Sequence, residues 1–202
     1  DILIAMKKTF VHIFVALVVL VHLGAAQTGS SGLSFLKLGV GARALGMGDA
    51  YSALATDPSA TYYNPAALAS SENSQLMLMH REWIQGTKSE YIATNASLGR
   101  VTLGVSANIT SVTDIELRTT PGPPLALFDA RNSALGLSAA YAIDTSLSIG
   151  ATAKYLYEKI LVYEATGLAF DFGVRYKTPW NVNVAFAVNN LGSMSKLDLE
   201  SS

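Results

Sequence analysis

From Asn73 onward, apolar and polar residues alternate along the chain. Val101, Leu103, Val105, Ala107 and Ile109 take turns with Thr102, Gly104, Ser106, Asn108 and Thr110. Leu135, Leu137, Ala139 and Tyr141 alternate in the same way with Gly136, Ser138 and Ala140. Leu147, Ile149, Ala151, Ala153, Tyr155 and Tyr157 oppose Ser148, Gly150, Thr152, Lys154 and Glu158. Leu168, Phe170, Phe172, Val174 and Tyr176 oppose Gly167, Ala169, Asp171, Gly173 and Arg175. Val182, Val184, Phe186 and Val188 oppose Asn181, Asn183, Ala185 and Ala187. A period of two means β-strands, because successive side chains point to opposite faces. Gln75–Ile84 and Glu90–Leu98 predict two earlier strands with a less regular pattern.

The clear segments run about 9 to 11 residues or longer, enough for a tilted strand to cross a bilayer. Their apolar members are large and their polar members mostly small. A barrel wall in lipid needs that arrangement, apolar outward and small or polar inward. A soluble secreted β-sandwich instead predicts charged outward faces, and these are Val, Leu, Ile and Phe. The expected fold is therefore all-β, a transmembrane antiparallel β-barrel of about seven strands with the start of an eighth at Lys196–Leu199. Gly99-Arg100, Asp144-Thr145 and Thr178–Trp180 predict tight turns, and Ser111–Arg131, containing Pro121-Gly122-Pro123-Pro124, predicts a long loop. Short turns face the periplasm and long loops the outside in outer-membrane barrels. This puts Tyr176 and Trp180 in a periplasmic aromatic girdle and Tyr155, Tyr157 and Tyr163 near an outer one.

Ahead of the strands the pattern is different. Gly39 to Ala67 is too rich in glycine for an ordinary helix and too apolar for a free linker. Dense glycines mark positive φ angles or backbones packed closely on something else. Asp57-Pro58-Ser59 predicts a short helix through Tyr62 with Asp57 as its cap. Asn64-Pro65 predicts a turn followed by a short helix through Ala69. Residues 27–72 read as a compact plug held inside the wider structure, and 73–202 as barrel wall.

The first 26 residues read as a signal peptide whose true start is Met6. Lys7 and Lys8 form a basic segment, Phe10 to Leu23 an apolar one, and Gly24-Ala25-Ala26 a small-residue cleavage site. A retained anchor is the weaker reading, because the apolar run is short for a span of about 20 residues and is broken by His12 and His22.

Composition narrows the chemistry. Charged residues make up 14% of the 202-residue chain, against about 25% in ordinary soluble domains. The net charge of −1 gives no basic footprint for nucleic acid. Cysteine is absent, which removes disulfides, thiol catalysis and thiolate metal sites. Gly39-x-Gly41-x-x-Ala44 with Asp57 downstream matches a dinucleotide fingerprint, but that motif needs a βαβ unit. His80 is the only histidine after the signal; with no Gly-x-Ser-x-Gly elbow, it reads as a polar strand residue facing the lumen or plug. Lys154, Glu158, Asp171 and Arg175 fall on inward faces, as a lumen lining or a charge ladder holding the plug. No residue reads as catalytic and none as a cofactor or metal ligand, so the chain reads as a non-enzyme.

Gly41-Ala42-Arg43-x-Leu45-Gly46-Met47-Gly48, followed by Ala60-Thr61-Tyr62-Tyr63-Asn64-Pro65-Ala66, resembles the N-terminal signature of PorV/PorQ-type outer-membrane proteins, which belong with the FadL-like barrels. The likeness continues through His80-Arg81-Glu82-Trp83 and Tyr91-Ile92-Ala93 to Asn189-Asn190-Leu191-Gly192, and Ala67 departs from it where glycine is commoner. The resemblance marks Gly41, Arg43, Gly46, Gly48, Asn64 and Pro65 as plug signature, with Arg43 expected to clamp plug to wall. It implies an outer-membrane location and a part in type IX secretion, with secretion components and cargo C-terminal domains as partners beside outer-membrane lipid. The alternative it implies is a FadL-like transporter of hydrophobic small molecules. Members of that family close a wider barrel from a longer chain, and Glu200-Ser201-Ser202 lacks a terminal aromatic. The chain therefore reads as the N-terminal half of a barrel.

Overall fold

The computed structural model describes residues 34–199. The signal peptide and the leader from Gln27 to Gly32 lie outside them, as does Glu200–Ser202. Eight strands form one antiparallel sheet. They are β1 (Gln75–Glu82), β2 (Thr87–Leu98), β3 (Val101–Leu117), β4 (Ala126–Ala142), β5 (Leu147–Ile160), β6 (Tyr163–Lys177), β7 (Asn183–Met194) and β8 (Asp198–Leu199). Each of β1 to β6 pairs with the next in sequence, and β8 pairs with the start of β6 beyond the end of β7. Among the described residues β1 pairs only with β2, and β7 and β8 only with β6. The sheet is open along both edges there.

The register aligns the alternating pattern across the sheet. Leu76, Thr94, Val105, Leu137, Ala153 and Phe170 form one row on the outer face. Leu137 is 66% exposed, Leu78 69% and Phe186 67%. The opposite face carries Asn95, Thr102, Ser106, Ser138, Thr152, Lys154 and Asp171, all buried. A soluble sheet usually shows the reverse.

What buries the polar face is the segment before β1. It contains 3-10 turns at Ser34–Lys37 and Pro65–Ser70 and short α-helices at Ala42–Gly46 and Ala60–Tyr63. Its core side chains, Val40, Tyr51, Tyr63 and Leu68, cluster with Tyr91 and Ala140 from the sheet. Phe35 and Leu36 cluster with Ala134, Leu156 and Ala169. The segment touches all seven long strands: Arg81 in β1, Tyr91 in β2, Gly104 in β3, Ala140 in β4, Ser148 in β5, Arg175 in β6 and Asn189 in β7. A flat sheet cannot meet one small segment along its whole width, so the sheet curls around it.

Two expectations about connections change. Ser111–Arg131 is mostly strand: β3 and β4 stay paired out to Leu117 and Ala126, leaving a loop of Arg118–Leu125. The alternation stops where the hydrophobic period stops, but the ladder continues past β2 and β5 because a hairpin supplies its own partners. The turn at Leu161-Val162 is as tight as Gly99-Arg100, with positive φ at both Leu161 and Gly99, so turn length does not distinguish the two ends. At Asp144 the carboxylate accepts the backbone N–H of Ser146 and Leu147 at 2.6 and 2.8 Å. Those bonds hold its carboxyl below the usual range.

Candidate functional site

The plug is seated by Asn64-Pro65-Ala66. Asn64 is fully buried. Its side-chain oxygen accepts the Ala66 N–H at 3.0 Å, which starts the Pro65–Ser70 turn. Its amide donates to the Ser52 carbonyl within the plug at 3.1 Å and to the Val174 carbonyl of β6 at 3.3 Å. One asparagine thus caps a turn, ties the plug and docks it. Pro65 fits the first turn position because its missing N–H has no partner to lose there.

The wall makes room with glycine. A Cβ at Gly173 would overlap the Asn64 side chain, and one at Gly150 would lie 2.5 Å from the Pro65 and Ala66 backbone. Strand glycines often mark such a close backbone approach. Beside them Ser148 donates to the Ala66 carbonyl at 2.9 Å. Arg175 donates to the Ala53 carbonyl at 3.3 Å and to the Ser70 hydroxyl. Asn189 donates to the Tyr62 and Tyr63 carbonyls at 3.4 and 3.3 Å. At the far edge Arg81 donates to the Gly39 carbonyl at 3.2 Å.

Tyr63 ties the two halves of the plug together. Its hydroxyl accepts the Val40 N–H at 3.0 Å and donates to Asp49 at 2.7 Å. Its ring meets Tyr62 edge-on, with centroids 4.8 Å apart. Burial, and then the bond to Asp49, push the Tyr63 phenol well above its usual range. Burial and the nearby Asp49 charge do the same to Tyr62.

The signature residues serve different ends. Gly41 and Gly48 hold positive φ, and Gly41 also packs on the Met77 side chain. Gly46 faces open space. Arg43 does not clamp plug to wall: it is exposed, and its guanidinium lies 5.5 Å from the Tyr51 ring inside the plug itself. The expectation failed because a five-residue helix, Ala42–Gly46, turns Ala44 inward and leaves Arg43 outside. Arg81 and Arg175, both on the wall, hold the plug instead.

Lys154 and Asp171 do face inward together, with Lys154 Nζ 2.6 Å from Asp171 Oδ2 and side chains 7% and 0% exposed. Lys154 also donates to Asn190 at 2.9 Å, and the Asn190 N–H donates to Asp171 at 2.7 Å. Asn190 has positive φ in a β-bulge between β6 and β7, so the ion pair stabilises the irregular backbone that presents Asn189 to the plug. Arg175 shares their face but binds the plug. Glu158 takes the inward parity of β5, and among the described residues no ion pair joins it to the other three.

His80 is a correction. It lies on the outer face, 57% exposed on its side chain, beside Glu90 and Glu82. The less regular alternation of β1 concealed its parity, which follows from Leu76 and Leu78. The Gly39–Ala44 fingerprint opens a five-residue helix with no strand before it among the described residues. Asp57 accepts the Ser59 N–H at 2.9 Å and starts the helix at Ala60. Among the described residues no group of three His, Cys, Asp or Glu is placed to hold a metal ion. The space between Tyr62, Tyr91, Asn108 and Lys154 amounts to about 10 Å³. A wider opening of about 680 Å³ lies at the turn end of the plug, between Glu72, Arg100, Asp144, Arg175 and Lys177. The arrangement holds a segment of chain against the polar face of the sheet.

The model of the Uncharacterised protein family (UPF0164) matches residues 24–189, which include Asn64, Pro65, Gly150, Gly173, Arg175 and Asn189 of the contact described above. No curated protein matches the chain.

Proposed function

We propose that this chain, which belongs to the Uncharacterised protein family (UPF0164), forms plug and wall of a non-enzymatic β-barrel in the bacterial outer membrane. The observation carrying this reading is the inverted sheet. Its exposed face is a continuous field of Leu, Val, Ile, Phe and Tyr, while Lys154 and Asp171 are buried on the other. Soluble monomers rarely expose apolar patches beyond a few hundred Å², whereas a barrel wall has this polarity by necessity.

At that location the PorV/PorQ resemblance supports handling of exported cargo in type IX secretion, with secretion components and cargo C-terminal domains as partners. The β3–β4 hairpin, paired beyond the ends of β2 and β5, provides a surface for such contacts. A FadL-like passage of hydrophobic small molecules is the second reading. Its support is that β5 to β7 hold the plug by hydrogen bonds to backbone carbonyls, which water can replace.

Because the chain lacks cysteine, single cysteines test the location. A polarity-sensitive dye at Leu137→Cys and at Phe172→Cys should report hydrocarbon, and at Ser138→Cys and Glu158→Cys should not. Equal polarity at all four positions would sink the membrane reading. Deleting Arg118–Leu125 should lower cargo capture while leaving lipid uptake unchanged. Locking the plug with a crosslink between Thr61→Cys and Gly104→Cys, where a Cβ at Gly104 would lie 2.8 Å from the Thr61 side chain, should have the opposite effect, and this pair of results separates the two readings.

A further inference from the structure

On the outer face an apolar groove of about 510 Å³ runs between Ile92 and Leu168, with Ala107 and Ala153 as its floor. The alanines leave a trough between the larger side chains of Leu135, Leu137 and Tyr155. One row further along the register, Ile109, Ser133, Tyr157 and Thr166 replace the purely apolar residues, with Glu90 of β2 at the side of that row held against His80 at 2.5 Å. One row beyond that, Lys88, Ser111, Arg131 and Lys159 stand side by side.

We propose that this face seats an anionic phospholipid, with an acyl chain in the groove and the headgroup phosphate at Arg131 and Lys159. The inference rests on the membrane reading above. Arg131 lies four residues from Leu135, about 13 Å along a strand, so hydrocarbon, hydroxyl and cation levels follow the order found in a phospholipid. Arg131 is exposed and makes no ion pair or side-chain hydrogen bond among the described residues. Lys159 pairs with Glu164 at 3.3 Å, and Lys88 lies 4.0 Å from Glu82. These acids sit on β6 and β1, at the two sides of the patch, and Asp129 lies one place further out on β4. Directly above the groove, β3 to β5 contribute only Ser111, Arg131 and Lys159. The arginine fork matches phosphate geometry, and two adjacent cations favour a headgroup whose phosphate charge is not offset by a choline or ammonium.

The test is the lipid that stays with the protein. The purified protein is reconstituted into phosphatidylcholine vesicles holding a minority of phosphatidylglycerol, insertion is measured by flotation, and the lipid retained after detergent extraction is measured by native mass spectrometry. The retained phosphatidylglycerol should exceed its share in the vesicles and decline as salt is raised. Arg131→Gln and Lys159→Gln should each cut the preference about fivefold, while Arg118→Gln at the hairpin tip should leave it unchanged. Ala153→Phe, which fills the groove without altering charge, should lower retention of both lipids. Flotation with no lipid preference, or a preference indifferent to Arg131→Gln with Lys159→Gln, overturns this proposal alone. A protein that does not float overturns the membrane reading with it.

Discussion

Asn64 and Gly173 occupy each other's space: the asparagine side chain fills the volume where any other residue on β6 would carry its Cβ. The pair joins plug to wall at the point where Asn64 also donates to the Val174 carbonyl. Gly173→Ala should therefore unseat the plug and cost about 1–3 kcal/mol, as overpacking commonly does. Asn64→Gly removes the overlap but also the docking hydrogen bond. The double variant should be less damaged than the two single costs added together, because residues in contact are not additive. Thermal melts of the four proteins in detergent measure the coupling, and simple additivity would show that the two residues do not meet.

The two arginines of plug and wall should part company. Arg175→Met removes bonds to the Ala53 carbonyl and the Ser70 hydroxyl and leaves both acceptors near the wall. Hydrogen bonds from charged groups contribute about 1.5–3 kcal/mol, so the plug should become sensitive to protease. Arg43→Ala removes an exposed stack on Tyr51, worth about 0.5–1 kcal/mol, and should leave protease resistance intact. Equal sensitivity of the two variants would restore the clamp to Arg43.

Lys154→Met leaves Asp171 buried without its cation. Breaking one side of a buried pair costs about 3–5 kcal/mol, whereas replacing both sides by apolar groups is often close to neutral. Lys154→Met with Asp171→Leu should therefore recover much of the loss seen in Lys154→Met alone. It should not recover the plug contact of Asn189 fully, because the Asn190 N–H loses its acceptor. Hydrogen exchange at Tyr62 and Tyr63 reads that difference.

The plug should loosen at high pH. Tyr62 and Tyr63 have phenols raised above their ordinary value of 10.0 by burial and by Asp49. A raised folded-state value means that the stability they contribute is fully present below about pH 10 and lost above it, as the unfolded chain gains phenolate first. Phenolate absorbance should rise together with loss of plug protection above that pH, and Tyr63→Phe should weaken the plug at neutral pH by removing the bond to Asp49. Titration of all the tyrosines well before the plug opens would contradict this.

The sequence by itself determined the strands and the polarity of their faces. Hydrophobic alternation is a local property with a period of two, and it assigned Leu103, Val105, Leu135, Leu137, Leu168, Phe170, Phe172 and Phe186 to the exposed face on which they are found, while Leu156, buried against Phe35 and Leu36, went unassigned. The Asn64-Pro65 turn was equally legible, since proline and a capping asparagine act within a few residues. The tertiary structure alone decided the rest. Gly150 and Gly173 read as ordinary strand residues until Asn64 and Pro65, about a hundred residues away in the chain, are brought against them. Arg43 read as a clamp and Arg175 as lining, because a guanidinium's partner is set by where the helix or strand points it. The β3–β4 hairpin outran its hydrophobic pattern because backbone hydrogen bonds do not depend on side-chain polarity. His80 was placed on the wrong face because one short edge strand carries too few alternations to define its own parity. Periodicity is encoded within each strand. The meeting of plug and wall is encoded between residues that only folding makes neighbours.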